Sequence, residues 1–243
     1  MVNLIMPSYL ITAKSLKAKI TTVSNQEVLQ KTNRSKVKRH SHLAHHERVI
    51  INQILDEALV VNVGFVVDNQ PYVIPMGYGR DGNRLYIHGS TASRMLKNLE
   101  KGIDICVTAT LLDGIVIARS LFHHAMNYRS VVLFGRAIKV EEKDEQLHAL
   151  KVLSEHIIPG QWEQARQPTP QEVKVTTVLS FPIEEGSAKI RSGGPNDDTK
   201  DYALPIWAGQ IPLKLTPGVP IPDSKLSPEI AIPENITNYR VGT

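Results

Sequence analysis

The chain of 243 residues has one cysteine, Cys106, so no disulfide can form within it, and C-x-x-C redox motifs are excluded. Cys106 lies in the apolar run from Ile103 to Thr108, which points to a buried, inert thiol and suits a reducing cytoplasm. No run of 18 apolar residues occurs, so no membrane-spanning helix is expected. Pro7 interrupts a short apolar start that lacks basic residues ahead of it, so no signal peptide is expected either. There is no G-x-S-x-G elbow, Walker loop or H-E-x-x-H pair, which leaves hydrolase, nucleoside-triphosphate and zinc chemistry without a motif. Gly77 to Gly82 does spell G-x-G-x-x-G. A strand rather than a helix is expected after it, so it is not a dinucleotide fingerprint.

What is present is unevenly placed. Residues 1–39 hold eight Lys and Arg against Glu27 alone, whereas the whole chain carries only +4. The basic character belongs to an arm, read here as a flexible extension spanning 1–39. Such an arm could meet nucleic acid or an anionic surface, but it has few aromatics for base stacking, which disfavours nucleic acid. More than half of the prolines, eight of fifteen, fall after residue 192. Residues 193–243 therefore read as an irregular strap, packed on the body or on a second copy, with one ordered anchor at Asp201 to Gly209. Residues 40–192 are the expected folded domain.

Within that domain, Ile50, Ile54 and Ala58 recur at helical spacing. His40, His42, His45 and His46 before them lack the spacing and partners of a metal site and read as the solvated start of that helix. Leu59 to Val67 and Pro71 to Gly79 follow as strands, and the two prolines of the second point to an edge or a bulge; an edge whose backbone faces a groove is where a planar ligand can approach. Ile103 to Leu112 and Ile115 to Ser120 read as a hairpin turning at Asp113-Gly114. Val131 to Val140 is a strand with a bulge at Gly135, and His123 and His124 face opposite sides of its approach. Lys143 to Ile158 is a helix, and Val173 to Ile183 is the last strand. Short strands joined by hairpins, with few helices between them, imply an antiparallel barrel or sandwich with peripheral helices.

The most chemical stretch is Leu85 to Leu99. A strand ends at Gly89, and hydroxyls crowd the break at Ser90, Thr91 and Ser93. A helix then starts at Arg94 with Met95, Leu96 and Leu99 on one face. Unpaired N–H groups, hydroxyls and a guanidinium fork in that order suit an anion; a well-capped surface helix with a solvated arginine has the same pattern.

His88, Gly89, Ser93 and Arg94 resemble the phosphate turn of the flavin-nucleotide-binding branch of the pyridoxamine 5'-phosphate oxidase-like split barrels. The resemblance spans most of residues 33–209. It implies a mainly β, antiparallel split β-barrel that binds FMN. The phosphate would sit on Arg94, Ser90 and Ser93, and the ring along Pro75 and Met76. Tyr128, Arg129 and Ser130 would present a polar edge to the ring, and Trp207 would border it. The implied activity is flavin-dependent redox chemistry on a small molecule, in a cytoplasmic homodimer that builds each cleft from both subunits. His88 and His124 are the candidate catalytic groups, and a histidine at the first position recurs in nitroimidazole-resistance proteins. Met95 and Ser130 stand where the vitamin-processing oxidases carry a basic residue and a glutamine, which argues against that particular oxidation. A non-enzymatic flavin or haem carrier on the same fold, or a surface- or nucleic-acid-binding protein using the basic arm, are the alternatives.

Overall fold

The computed structural model describes residues 28–242. Ten strands form one sheet of order β1-β9-β6-β5-β2-β3-β4-β8-β7, with β10 added to β5, and every ladder is antiparallel. The strands are β1 (Ala44–His45), β2 (Val60–Val67), β3 (Gln70–Asp81), β4 (Arg84–Ser90), β5 (Asp104–Ile117) and β6 (Ala125–Arg136). They continue with β7 (Ile138–Lys139), β8 (Thr176–Pro182), β9 (Glu185–Arg191) and β10 (Gly209–Pro212). The helices are α1 (Arg48–Glu57), α2 (Arg94–Leu99), α3 (Lys143–Ile157), α4 (Gln161–Gln164), α5 (Pro170–Lys174) and α6 (Glu234–Thr237). This is the expected split barrel.

The barrel closes because strands change partners along their length. The first part of β3 pairs with β2, and from Tyr78 onward it pairs with β4. The β6 strand runs straight on into β7, which pairs with β8. Alternate residues of β2, β5 and β6 point inward, and Val61, Val63, Val107, Val131 and Leu133 form the core with Ile51 and Leu55 of α1. One residue sets the seat of α3. A Cβ on Gly79 would lie 2.7 Å from the Val152 carbonyl oxygen, so only glycine lets that helix settle on β3.

Three local expectations need correction. Asp113 and Gly114 do not turn a hairpin. Instead β5 runs through them with a register shift between Leu112 and Gly114, and the hairpin closes later, over 118–124. The shift turns Asp113 toward Arg129, and Gly114 admits β10, whose Ile211 oxygen would lie 2.9 Å from a Cβ there. Gly135 is no bulge, since β6 keeps its register across it; it makes room for the Phe181 ring, 3.2 Å from a Cβ. His123 and His124 lie at the end of a 3-10 turn rather than on a strand.

The basic arm also divides. Residues 1–27 fall outside the described residues, but 28–39 lie against the barrel. Leu29 is 2% exposed within the core, and Arg34 grips Glu185 with two hydrogen bonds while lying over the Phe134 ring. His46 donates through Nδ1 to the Gly186 oxygen at 2.9 Å. Among the described residues no three His, Cys, Asp or Glu side chains gather to hold a metal ion, and no helix is long and apolar enough to cross a membrane.

Candidate functional site

Local hydrogen bonds shape the turn after β4. The Ala92 N–H donates to Ser90 Oγ at 3.1 Å, the Ser93 N–H to the Ser90 carbonyl at 2.9 Å, and the Thr91 N–H to the Val175 carbonyl at 3.0 Å. Ser93 then caps α2 by accepting from the Leu96 N–H at 3.4 Å. Gly89 lets the turn close on its own helix, because a Cβ there would sit 3.0 Å from Leu96 Cδ1. Met95, Leu96 and Leu99 are buried, which fixes the helix and leaves Arg94 outside. With only six residues, α2 has little dipole to offer, so the anion affinity of this corner rests on Arg94 and the hydroxyls.

The guanidinium of Arg94 is not committed to an acid. Seven other arginines hold a carboxylate, from Arg34 to Arg166, whereas among the described residues none pairs with Arg94. It lies 5.8 Å from the centroid of the Tyr72 ring, which in turn stacks on Phe65 at 5.3 Å. Tyr72 sits on β3 beside an open backbone edge. Residues 70–77 pair with β2 on one side, while pairing with β4 begins only at Tyr78. Pro75 lies on this stretch, with its side chain on the exposed outer face of the sheet and that of Met76 turned inward.

Tyr128 and Ser130 share that outer face, and Ser130 Oγ donates to the Lys189 carbonyl at 3.3 Å. The strand order puts β2 and β5 between them and Pro75, a separation of about 14 Å at three strand spacings. Arg129 points the other way. It donates to both carboxylate oxygens of Glu57 and both of Asp113, and this double clamp raises its pKa further. Trp207 stands exposed before β10, its ring against Gly209, and His124 reaches the Ala118 carbonyl through Nε2 at 3.2 Å. One chain thus brings Gly89, Ser90, Ser93 and Arg94 to a single corner, with Pro75 on the adjoining strand, while the side chain of His88 lines a separate cavity. It leaves Tyr128, Ser130, Trp207 and His124 apart from them.

A cavity of about 420 Å³ opens beside the same strand, lined by His88, Leu150, Leu153, Ile157, Trp162 and Arg166. One wall is α3, held close by Gly79. The other is the turn into α4, pinned by the Gly160 and Trp162 N–H groups donating to Glu155 at 2.6 and 2.8 Å. His88 makes no side-chain hydrogen bond among the described residues, and desolvation by the cavity walls holds its pKa below the usual histidine value. It is therefore a neutral imidazole at pH 7 with ring nitrogens to offer. Arg166 at the rim is already paired with Glu172, whose carboxyl is pulled down to about 2 by that arginine and by Thr169. Sequence reading missed Tyr72 and Trp162. The only local signals were an aromatic flanked by the strand's first proline and a tryptophan just after Pro159-Gly160. Burial pushes the Cys106 thiol up, away from reactivity.

The family described as pyridoxamine 5'-phosphate oxidase matches residues 47–190. Among solved structures, the flavocytochrome Anf3 from Azotobacter vinelandii is 40% identical with a TM-score of 0.82, over 86% of this chain and 98% of that one. The FAD and haem binding protein from Mycobacterium smegmatis is 33% identical with a TM-score of 0.77, over 80% and 95%. A candidate 5-nitroimidazole antibiotic resistance protein from Bacteroides thetaiotaomicron shares the fold at 22% identity and a TM-score of 0.52, over 60% and 86%. No curated protein matches the chain.

Proposed function

The chain belongs to the pyridoxamine 5'-phosphate oxidase family, and from that premise we propose that it is a flavin-dependent oxidoreductase acting on a small molecule. The observation that carries the reading is Arg94, an arginine without a carboxylate, set over Tyr72 at a hydroxyl-rich turn beside an unpaired strand edge. That corner fits a flavin nucleotide. Arg94, Ser90 and Ser93 would hold the phosphate at the end of the ribityl chain, and the free edge of β3 offers backbone groups to a planar ring. The bound flavin supplies the electron or hydride transfer. The protein binds it, orients it and limits water.

FMN, which the sequence resemblance implies, and FAD, which the M. smegmatis relative binds, both carry a phosphate at that point, so Arg94 serves either. One similar protein is a flavocytochrome and another binds haem beside FAD, which favours a second group here. His88 fits that role because a neutral imidazole facing an apolar cavity is a ready iron ligand. The protein acts as a homodimer in this reading. Pro75 and Ser130 lie apart on one exposed sheet face, where a second copy can complete the cleft. The lone, unreactive thiol of Cys106 suits the cytoplasm.

The test is the visible absorption spectrum of the purified protein, with the released cofactors identified by mass. Flavin bands are expected, and the mass separates FMN from FAD. A haem band should disappear in His88→Ala while the flavin bands remain. Protein that neither carries flavin nor takes it up would overturn the reading.

A further inference from the structure

Arg94 owes its setting to a stack that begins at a turn. Asp68 and Asn69 have φ of 51° and 61°, the paired left-handed conformation of a two-residue hairpin turn, which Asp and Asn tolerate. Such a turn fixes the register of β2 against β3, so Val67 meets Gln70 and Phe65 meets Tyr72. The two rings stack at 5.3 Å with 16° between their planes. Phe65 is itself held, 6% exposed in the core with the buried Ile105 opposite it on β5. Tyr72 is half-buried, on the inward side of β3 with Ile74 and Met76.

Among the described residues the Tyr72 hydroxyl makes no hydrogen bond, so what this side chain offers is the face of its ring. Arg94 is the first residue of α2, and its carbonyl accepts from Asn98 Nδ2 at 2.9 Å, which anchors the backbone but not the guanidinium. An arginine without a carboxylate samples many rotamers and loses that freedom when it grips an anion. The Tyr72 ring, centred 5.8 Å from the guanidinium carbon, restricts the sampling before an anion arrives, which lowers the entropy lost on binding. Packing of the hairpin accounts for the Phe65–Tyr72 stack, but not for a charged fork set over it at a hydroxyl-rich turn.

We propose that Tyr72 is the positioning residue of the phosphate corner: backed by Phe65, it holds the Arg94 fork in place and so sets the preference for a phosphorylated flavin over riboflavin without touching either. The proposal rests on the reading of Arg94 as the phosphate-binding residue. The test is a fluorescence titration of the full-length chain with FMN and with riboflavin. Tyr72→Leu should weaken FMN roughly two- to fivefold, the range of a cation–π contact at an exposed site, and leave riboflavin as it was. Tyr72→Phe keeps the ring and should restore the loss. In an Arg94→Ala background Tyr72→Leu should weaken FMN no further, because the residue acts through that arginine. An Arg94→Ala variant that binds FMN as wild type does overturns the phosphate reading and this proposal together. If Arg94→Ala loses FMN and Tyr72→Leu does not, the proposal alone falls. It also falls if Tyr72→Leu weakens riboflavin equally, if it still weakens FMN in the Arg94→Ala background, or if Tyr72→Phe loses as much as Tyr72→Leu. Should Tyr72→Leu fail to fold, the arginine side-chain NMR spectrum of the wild type replaces it, with Arg94 assigned by Arg94→Lys. The Arg94 Nε–H signal should be shifted upfield by the ring and relax as a held side chain; a mobile signal at the free-arginine position would overturn the proposal.

Discussion

Arg94 rests against Tyr72 without an acid to neutralise it: the guanidinium lies 5.8 Å from the ring centroid, and no carboxylate among the described residues pairs with it. An arginine held in place by an aromatic ring keeps its charge available for an incoming anion.

Removing that charge should cost flavin nucleotide affinity and little else. A hydrogen bond to a charged group is worth about 1.5–3 kcal/mol net, so Arg94→Ala should weaken binding roughly 10- to 150-fold. Arg94→Lys should recover part of the loss, because a point charge replaces a fork. Riboflavin, which has no phosphate, should bind both forms about equally in a fluorescence titration. The apo-protein should melt as before, since Met95, Leu96 and Leu99 carry the packing of α2. Equal losses for riboflavin and the nucleotide would place the phosphate elsewhere.

Arg129 should behave in the opposite way, as an anchor of the fold. It ties Glu57 at the end of α1 to Asp113 at the irregularity in β5. Arg129→Ala leaves two carboxylates facing each other, and a loss of about 1–3 kcal/mol in urea unfolding is expected. Adding Glu57→Gln should return part of it by lifting the repulsion. A neutral Arg129→Ala would mean that solvent already screens the clamp.

How far these roles could be read from the sequence depended on range. The helix over α1, the strand with two prolines and the hydroxyl turn before Arg94 are set by neighbours a few residues away, and they were legible. Asp113-Gly114 carries a strong local turn signal, yet Arg129 and β10 claim those residues from a distance and keep the strand running. The cavity at His88 was illegible for the same reason: its wall, α3, arrives some sixty residues later and docks only because Gly79 leaves space. Arg129 sits beside Ser130 in sequence, but strand alternation sends the two to opposite faces.

Acidification should loosen the seat of α3 before it touches the carboxylates. His156 donates to the Ala58 carbonyl at 2.9 Å and packs on Tyr78. Burial lowers its pKa, offset in part by that hydrogen bond and by Asp56. A histidine with a depressed folded pKa binds its proton more readily in the unfolded chain. Stability is therefore full above about pH 6.5 and falls as pH drops toward the folded value. His88 adds a contribution of the same sign. Thermal melts should decline between pH 7 and 5, and His156→Gln, which can still donate to Ala58, should flatten that decline. An identical slope in the variant would assign the effect to another group. Asp197 and Glu185, whose pKa values are lowered, act only nearer pH 4.

Gly79→Ala tests the seat directly. The added methyl would meet Val152 and Leu153 backbone atoms at 2.7–2.8 Å, and backbone cannot step aside as a side chain can. A loss of about 1–3 kcal/mol is expected, together with weaker binding of whatever occupies the His88 cavity, because α3 forms its wall. Gly82→Ala is a useful contrast. It has no neighbour within 4 Å but a φ of +53°, so its cost should be backbone strain alone and the cavity should be untouched.

The sharpest test of where the folded body begins is Leu29. Read as sequence, residues 1–32 are dispensable, because they lack apolar periodicity and carry excess basic charge. In the structure Leu29 is in the core, its N–H donates to the His46 carbonyl at 2.8 Å, and Gln30 donates to the Glu184 carbonyl at 3.0 Å. Three residues on, Thr32 and Arg34 close over Glu185, whose carboxyl the Arg34 guanidinium holds below the usual range. Leu29→Ala should therefore cost about 2–5 kcal/mol, the range for a leucine removed from a packed interior. Removal of residues 1–32 should lose this contact and the backbone bonds together and lower the melting temperature. A single leucine without periodic neighbours gives no helical or strand signal, so its burial is visible only once β9 has supplied the surface it covers. If the chain lacking residues 1–32 melts like the full chain, Leu29 is not holding the barrel, and that part of the arm is dispensable as its sequence suggests.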